Sequence, residues 1–322
     1  MTISSIINIS RQSPANSVNL LLMLSLNPKD LTIPQVHQYL LGAVGPRPIC
    51  FASTIDKNGN PNVAPFSFFN VFSAAPPIAV FSPARSGRTG ATKDTFENVK
   101  EVPECVINIV NYNMVYQTSL ASSPFPKGVS EFTKAGLTPL ESQLVKPFRV
   151  KESPVQLECK VKDIIELGQQ GGAGNLVICE VVMIHVSEDV LDANKMIDQQ
   201  KIDLVARMGG NYYCRAHGDA LFEIEKPITT IGIGFDNMPD YIKKSHVLTG
   251  NNLGQLGNIE HLPTKEEVVQ YKNSGAINEM FELYSKDRHK LEEHLHHMAQ
   301  RLLKENKVAE AWKVLLAVEH ID

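Results

Sequence analysis

The sequence predicts a mainly β protein, built on an antiparallel sheet and followed by a C-terminal helical extension. Three observations support this prediction. Short apolar segments separated by turn residues fill the region from about 47 to 186, and an Asn-Gly pair, Asn58-Gly59, separates the first two of them. Apolar residues then recur at helical spacing from Leu291 onward. Many short strands with turn punctuation are typical of a closed or sandwiched sheet.

The predicted strands alternate with turns and with two short helices. In chain order they are Pro48–Thr54, Pro61–Phe72, Ile78–Phe81, Cys105–Val110, Val155–Ile165 and Leu176–Val186. Asp94 and Glu97 are spaced as a capping box, which predicts a helix beginning at Asp94. A second helix is predicted over Met114–Ala121.

The C-terminal part has a different composition, rich in glycine and asparagine between 231 and 254. Thr264 and Glu267 form a second capping-box pattern. Helical spacing then connects Tyr284, Leu291, Leu295, Met298 and Leu302, and a break at 305–307 precedes a last helix that carries Trp312. We therefore predict a leader over 1–30, a main domain over 31–227 and an extension over 228–322 that ends in a helical hairpin.

Composition argues against several classes of protein. The formal net charge of −4 disfavours a nucleic-acid surface, which needs a basic face. No apolar run approaches the ~20 residues of a membrane span. The five cysteines are widely spaced and odd in number, which favours buried, reduced thiols in a cytoplasmic protein over a disulfide framework.

The segment 82–98 is the first candidate for chemistry. It carries Arg85, Arg88 and Lys93 in a glycine-bearing loop that leads into the predicted helix at Asp94. A helix N-terminus offers free N–H groups, so nearby cations make an anion site that suits a phosphate. A solvated loop before a well-capped helix is the alternative interpretation.

Other candidate residues are weaker. Arg47 lies between two prolines and is interpreted as a surface arginine at an edge strand. Arg207 precedes the pair Gly209-Gly210, which would permit close approach of a ligand or form a plain turn. His289, Glu293 and His297 share a helix face, but we interpret that face as solvated and predict no metal site.

No nucleophile elbow or Cys/His pair is present, so hydrolytic chemistry has little support. Chemistry carried by a bound cofactor needs fewer protein signatures.

Several segments together resemble the flavin reductase-like family, whose members have an FMN-binding split β-barrel. The matching segments are Gly45-Pro46-Arg47-Pro48, Ala52-Ser53-Thr54, Asn58-Gly59-Asn60, 62–70, Pro76-Pro77, Lys93-Asp94-Thr95 with Asn98, and Arg207-Met208-Gly209-Gly210. The resemblance covers about 35–225 and is nearest to the flavoredoxin and nitrilotriacetate-monooxygenase reductase-component group. It implies an antiparallel, Greek-key-like split barrel.

The resemblance also implies a set of FMN-binding residues. In this sequence they are Arg47, Ser53, Thr54, Pro65, Phe66, Ser67, Phe68, Phe69, Asn70, Ser82, Arg85, Arg88, Lys93, Asp94, Thr95, Arg207 and Gly209. Residues 61–70 would run beside the flavin ring, with Ser67 and backbone amides on its polar edge. Phe68 and Phe69 would lie beneath the ring or belong to the core. Ser53 and Thr54 would lie near the ribityl phosphate.

The phosphate itself would be bound by Ser82, Arg85, Lys93 and Thr95, with Asp94 acting mainly as N-cap. The choice between Arg85 and Arg88 is open, because 83–92 is longer and carries more glycine than the family pattern.

The resemblance implies a homodimeric oxidoreductase that accepts hydride from NAD(P)H onto FMN. Electrons would pass to an acceptor or a partner monooxygenase. Two alternatives stay open: an FMN-binding electron-transfer carrier without its own NAD(P)H oxidation, and an interaction protein that has lost FMN.

Overall fold

The computed structural model describes residues 23–320, except 127, 225–228, 274, 276 and 285. The chain divides into two compact units, Met1–Phe222 and Glu223–Asp322. The predicted boundary between 227 and 228 lies outside the described residues, as do residues 1–22 of the predicted leader.

The first unit consists mainly of β-strands. They are β1 (Arg47–Pro48), β2 (Cys50–Ile55), β3 (Pro61–Phe66), β4 (Phe69–Ala74), β5 (Pro77–Phe81), β6 (Glu104–Ile109), β7 (Pro139–Leu140), β8 (Arg149–Val150), β9 (Val155–Glu166), β10 (Asn175–Val186), β11 (Leu204–Arg207) and β12 (Tyr213–Ala216). Its α-helices are α1 (Ile33–Ala43), α2 (Asp94–Glu101), α3 (Val115–Ala121), α4 (Glu131–Ala135) and α5 (Gln199–Ile202).

Seven strands form one antiparallel sheet in the order β3-β2-β6-β9-β10-β5-β4. The two edge strands, β3 and β4, are consecutive in the chain and are joined only by Ser67 and Phe68. A flat sheet of this size would separate its edges by about 29 Å. Three Cα–Cα steps span only about 11 Å, so the sheet must curl until its edges approach. The result is the predicted split barrel.

The interior of the barrel is apolar and rich in sulfur. Phe66, Phe69, Phe81 and Ile107 are buried there. One cysteine from each of β2, β6, β9 and β10 joins them: Cys50, Cys105, Cys159 and Cys179, all free thiols and all buried. Burial raises the pKa of the Cys50 thiol. The neighbouring strands therefore meet through small, uncharged side chains.

The predicted hairpin at Asn58-Gly59 is confirmed. β2 and β3 pair antiparallel from Cys50 to Ile55, and Gly59 adopts a positive φ of 85° in the turn between them. The prediction of one continuous strand over Pro61–Phe72 is wrong, because the chain leaves one sheet edge at Ser67 and joins the other at Phe69.

The helix predicted from Asp94 is present, but its predicted cap is wrong. Lys93 is the N-cap residue and Asp94 is already the first helical residue, with no side-chain cap bond. Glu97 is bound instead by the Thr92 hydroxyl, whose Oγ1 lies 2.6 Å from Glu97 Oε1. The helix predicted over Met114–Ala121 is confirmed as α3 with a preceding 3₁₀ turn.

The second unit is helical in its described residues. Its helices are α6 (Asp240–Lys243), α7 (Gly250–Gly257), α8 (Lys265–Asn273), α9 (Asn278–Leu283), α10 (Arg288–Lys304) and α11 (Val308–Leu316). They enclose an apolar core centred on Trp312, Leu295 and Leu256, all fully buried. The predicted capping box is confirmed, since Thr264 Oγ1 accepts from Glu267 N (3.3 Å) and Glu267 Oε2 accepts from Thr264 N (2.8 Å).

The predicted hairpin of α10 and α11, with its break at 305–307, is also confirmed. Tyr284 does not belong to it, because this residue is the C-cap of α9. His289, Glu293 and His297 are exposed on α10. Within the described ranges, no helix has both the length and the apolarity to cross a membrane.

Candidate functional site

The N-terminal end of α2 lacks the usual caps. Its N-cap side chain, Lys93, is exposed and makes no capping bond. The carbonyl of Lys93 accepts from Phe96 N (2.9 Å) and Glu97 N (3.3 Å). The preceding N–H groups, those of Asp94 and Thr95, find no acceptor in the described part of the chain. The N-terminus of α2 therefore carries two free N–H groups, the positive end of the helix dipole and the Lys93 ammonium group. Groups of this kind form anion-binding sites.

A buried polar cluster ties this helix end to the edge of the barrel. Asn98 Nδ2 of α2 donates to Thr54 Oγ1 of β2 (3.1 Å), and Asn62 of β3 contacts Thr95 Oγ1 (3.1 Å). All four side chains are buried. The structure thus brings together two predicted residues, Thr54 and Thr95, through two asparagines that belong to the matching segments but were not predicted to bind FMN. An asparagine inside an edge strand was the available signal for Asn62.

Ser53 lies elsewhere, although it is adjacent to Thr54 in the sequence. Successive side chains of a strand point to opposite faces, so Ser53 points away from α2. It is fully buried, its hydroxyl donates to the Phe148 carbonyl, and it accepts from Asn108 Nδ2 at 3.4 Å. The Ser53 hydroxyl is therefore used by the barrel itself.

The two loop arginines have different environments. Arg85 Nη2 lies 3.0 Å from Glu166 Oε2 and 2.8 Å from Gln169 Oε1, which anchors it to the end of β9. Together, Gln169 and Arg85 hold the pKa of Glu166 below its ordinary value. Arg88 is exposed. Arg85 therefore anchors the loop to the end of β9, while the choice between Arg85 and Arg88 as phosphate ligand stays a prediction.

Ser82 is buried at the start of this loop. Its N–H donates to the Phe68 carbonyl (2.8 Å) and its hydroxyl accepts from Asn175 N (3.1 Å). The loop is consequently fixed to the link between the two edge strands.

The aromatic segment divides between core and surface. Phe66 and Phe69 are buried in the barrel, and the Phe66 and Phe81 ring centroids lie 5.2 Å apart. Phe68, in contrast, is 42% exposed, and Asn70 is also exposed. Ser67 and Pro65 are half-buried. Since β3 is an edge strand, its outer backbone groups have no neighbouring strand, and this segment offers polar backbone, a hydroxyl and one aromatic ring to a ligand.

Arg47 is not the surface arginine that the sequence suggested, because it is only 6% exposed. Its Nη1 donates to the Leu41 carbonyl (2.9 Å) and to that of Val44, and its Nη2 donates to the Met208 carbonyl (2.9 Å). Three backbone carbonyls thus occupy this guanidinium, which holds the end of α1 against the segment that follows β11.

Gly209 lies at the same contact between α1 and the segment that follows β11. A Cβ at this position would lie 3.0 Å from Gly42 Cα of α1, so the absent side chain permits the close approach of this helix. Arg207 stacks on the Tyr213 ring, with Cζ 4.5 Å from the ring centroid, and donates to the Tyr212 carbonyl (3.2 Å). These residues lie apart from the α2 cluster in their contacts.

Glu131, a residue that the sequence did not single out, faces the α2 cluster from α4. It is half-buried, and its Oε2 lies 3.3 Å from the Asn62 amide. Burial raises the pKa of its carboxyl group. Nothing in the surrounding sequence marks this glutamate, because its position depends on the packing of α4 against β3.

The geometry agrees with comparisons with known proteins. The flavin reductase like domain family matches residues 43–203, which is half of the chain. The chain belongs to this family. An uncharacterized protein of Aquifex aeolicus is 37% identical over 190 residues, covering 59% of this chain and 94% of that protein.

Solved structures of the family superpose on the chain as well. Nitrilotriacetate monooxygenase component B of Bacillus cereus is 33% identical, with a TM-score of 0.59 over 63% of this chain and 99% of that one. A candidate flavin reductase with a split barrel domain from Shewanella frigidimarina is 27% identical, with a TM-score of 0.53 over 62% and 95%. The protein is therefore a flavin reductase-like oxidoreductase with a split barrel.

Proposed function

We propose that this protein binds FMN with the phosphate at the N-terminal end of α2 and the flavin ring along 65–70. The observation that supports this most directly is the helix end itself, with its two free N–H groups and its exposed Lys93. These groups fit a phosphate, which needs N–H donors and positive charge. The edge strand β3 fits the ring, because it presents unpaired backbone groups beside Ser67 and Phe68.

The chain's residues bind and orient, and the cofactor supplies the reactivity. When bound, FMN accepts a hydride from NAD(P)H and passes electrons on. Lys93 and the N–H groups of Asp94 and Thr95 hold the phosphate, while Arg88 adds charge from the loop. Ser67 and the backbone beside it fix the polar edge of the ring, and Phe68 limits access of water. Positioning of this kind is what hydride transfer requires of a protein.

The electrons pass to an acceptor or to a partner monooxygenase. Support comes from the similarity to a protein that is named as a component of a monooxygenase. An FMN-binding carrier without its own NAD(P)H oxidation is the second candidate function, since the same phosphate site and edge strand would serve it. Reduced, buried cysteines support a cytoplasmic location for either function.

We also propose that the protein is a homodimer. The edge strand β4 exposes apolar side chains, with Val71 59% and Phe72 68% exposed. Edge strands with exposed apolar residues are usually covered by another chain. A second copy of the same chain is the simplest cover.

The first experiment is an absorption spectrum of the purified protein, before and after FMN addition and gel filtration. Flavin bands that co-elute with the protein are expected. Mixing with NADH or NADPH in a stopped-flow instrument should then bleach the flavin band. A flavin that stays oxidised would support the carrier instead, and a chain that neither retains FMN nor turns it over would contradict both functions. Light scattering on the same column gives the mass, and a monomer would refute the dimer.

A further inference from the structure

The helical unit has a pocket of its own, outside the family match, which ends at residue 203. The end of α6 and the loop 244–247 form one wall of the pocket, and the first half of α10 forms the other. Its volume is about 290 Å³. Pockets that bind small molecules usually have volumes from about 300 Å³ upward, so this one suits a small ligand.

His296 is the most buried residue of the pocket wall, with 6% of its surface exposed. Its Nδ1 lies 2.7 Å from Ser245 Oγ. Its Nε2 has no hydrogen-bond partner in the described residues, and it is not one of the side-chain atoms that are sealed from solvent without a partner. Since the pocket is the open space that His296 lines, Nε2 faces the pocket.

Ser245 fixes the position of the proton on this imidazole. The Ser245 oxygen accepts from Val247 N and Leu248 N (both 3.1 Å), which occupies its two lone pairs. Its hydroxyl proton is therefore donated to His296 Nδ1, and a neutral imidazole that accepts at Nδ1 carries its own proton at Nε2. A charged ring would direct a second N–H at a hydroxyl without a free lone pair, and burial likewise lowers the pKa of His296.

The charged side chains of the wall differ in whether they are paired. Lys244 Nζ lies 2.7 Å from Asp240 Oδ2, and Glu292 Oε1 lies 3.0 Å from Arg288 Nε. Glu293 is exposed and forms no ion pair within the part of the chain that the structure describes. Glu293 is therefore the charged group of this wall that can pair with a ligand.

Two half-buried residues, Tyr241 and Val247, add apolar surface to the pocket. The Tyr241 ring is nearly parallel to that of His296, with an interplanar angle of 15° and ring centroids 6.4 Å apart. His246 and His289, both exposed, also line the pocket. The pocket thus offers an N–H donor, a carboxylate and an apolar surface to one small molecule.

We propose that this pocket binds an α-amino amide, the group that also forms the N-terminus of a peptide. The His296 Nε2–H donates to the carbonyl oxygen, and the Glu293 carboxylate accepts from the ammonium group. These two side chains lie three residues apart on α10 and are neighbours on its surface, as the amine and the carbonyl are on adjacent carbon atoms of the ligand. The ligand side chain contacts Tyr241 and Val247. This site is independent of the proposed flavin site.

The test compares three probes that share one side chain, bound to the full chain and followed by NMR at about pH 7, where an α-amino group is mostly protonated. L-Leucinamide carries both polar groups, N-acetyl-L-leucinamide lacks the ammonium group, and isopentylamine lacks the carbonyl. We expect leucinamide to bind at least about threefold more tightly than either analogue. Equal affinities for all three, or no binding of leucinamide, would overturn the proposal.

Leucylglycinamide separates the two sources of this group. In this probe the same carbonyl belongs to a peptide bond. Binding as tight as that of leucinamide is expected if the pocket accepts the N-terminus of a peptide, and exclusion would confine the site to free amides.

Glu293→Gln tests the carboxylate. We expect this variant to bind leucinamide about threefold more weakly and N-acetyl-L-leucinamide as the parent does, because only the first probe carries a charge for the carboxylate. Glu282→Gln, the same change at an exposed glutamate of α9, is the matched control and should follow the parent with both probes. A similar loss for both probes in E293Q would mean that Glu293 does not bind the amine.

His296→Asn tests the donor, since asparagine can still accept from Ser245 but has no group in the place of Nε2. We expect leucinamide to bind about fivefold more weakly, whereas His297→Asn, at the exposed neighbour, should leave its affinity unchanged. Spectra of the parent with isotope-labelled histidine need no variant and show which ring nitrogen carries the proton. A His296 proton at Nδ1, a charged ring at about pH 7, or an Nε2 signal that leucinamide does not shift would refute this inference.

Discussion

Two glutamates of the barrel unit, Glu158 and Glu131, are surrounded in opposite ways. Glu158 on β9 is completely buried and accepts from the N–H groups of Gln143 (2.8 Å) and Leu144 (2.6 Å) and from His185 Nε2 (2.7 Å). Burial alone would raise the pKa of Glu158, but these donors outweigh it and hold the pKa below its ordinary value. At Glu131 burial prevails and the pKa is raised.

The difference separates two kinds of polar side chain. Some are occupied by hydrogen bonds that hold the fold together, and others are left available to bind a ligand. Glu158 binds the loop before β8 to the sheet, and every donor around it is directed at a carboxylate. Glu131 is half-buried, and its Oε2 lies 3.3 Å from the Asn62 amide. The arginines divide in the same way, since both Nη groups of buried Arg47 donate to backbone carbonyls while Arg88 is exposed. Polar residues of the first kind should govern stability, and those of the second kind should govern ligand affinity.

The largest effect is expected at Glu158. Glu158→Gln should lower the free energy of unfolding by about 3 kcal/mol near neutral pH, because an amide cannot satisfy donors that all point at a carboxylate. A lowered pKa stabilises the fold above the unfolded-state value and loses that effect as pH falls through the folded-state value, so the difference should shrink below about pH 4. Urea denaturation followed by circular dichroism measures both.

Glu152 provides the matched control for this prediction. It also accepts from a backbone N–H, that of Thr138 (3.1 Å), but it is exposed. Glu152→Gln should lower the free energy of unfolding by clearly less than Glu158→Gln does. Equal losses of stability in the two variants would mean that the buried, hydrogen-bonded carboxylate of Glu158 contributes no more to the fold than an exposed one.

Among the residues that remain available to a ligand, Lys93 should show the largest effect. Lys93→Ala should weaken FMN binding by about tenfold or more while leaving the unfolding transition nearly unchanged. The reason is that a charge-assisted hydrogen bond to phosphate contributes about 1.5–3 kcal/mol. Lys100→Ala, at the other end of the same helix, is the control and should leave the affinity unchanged. Flavin fluorescence titration measures the FMN affinity of both variants. Equal losses of affinity would mean that the phosphate does not bind beside Lys93.

Gly209→Ala sharpens the comparison at the α1 junction. The new Cβ would lie 3.0 Å from Gly42 Cα, so we expect a loss of stability of about 1–2 kcal/mol with FMN affinity kept. Gly42→Ala is a strict control, because its Cβ meets nothing within 4 Å and alanine favours a helix. A loss of FMN affinity in well-folded G209A would restore Gly209 as a ligand residue.

The smallest effect is expected in the loop. Arg88→Ala should weaken FMN binding by about threefold at low salt and by less at high salt, because an exposed charge is screened. Arg85→Ala should instead increase hydrogen exchange of the amides in 83–92, since it removes the anchor to Glu166. Affinity titrations at two salt concentrations and exchange measurements on both variants separate these roles. An unscreened loss in R88A would mean a buried contact.

The sequence alone determined the local elements of this protein. Alternation of apolar and polar residues predicted β9, and a long, mostly apolar run rich in β-branched residues predicted β10. Asn58-Gly59 predicted the first hairpin, and helical spacing with a break predicted α10 and α11. Each of these signals lies within a few residues of the chain, where periodicity and turn chemistry act directly. The motifs also carried the family resemblance.

Only the tertiary structure decided which polar residues have hydrogen-bond partners within the fold, and which partners these are. Ser53 and Thr54 are neighbours in the sequence, yet one bonds to a carbonyl at 148 and the other to Asn98. Arg47 is occupied by a carbonyl at 208, and Glu131 meets Asn62 across the packing of α4 on β3. Such partners are set by strand pairing and helix packing over tens of residues or more, and no local pattern contains them, because a hydrogen-bond donor does not specify its acceptor in advance.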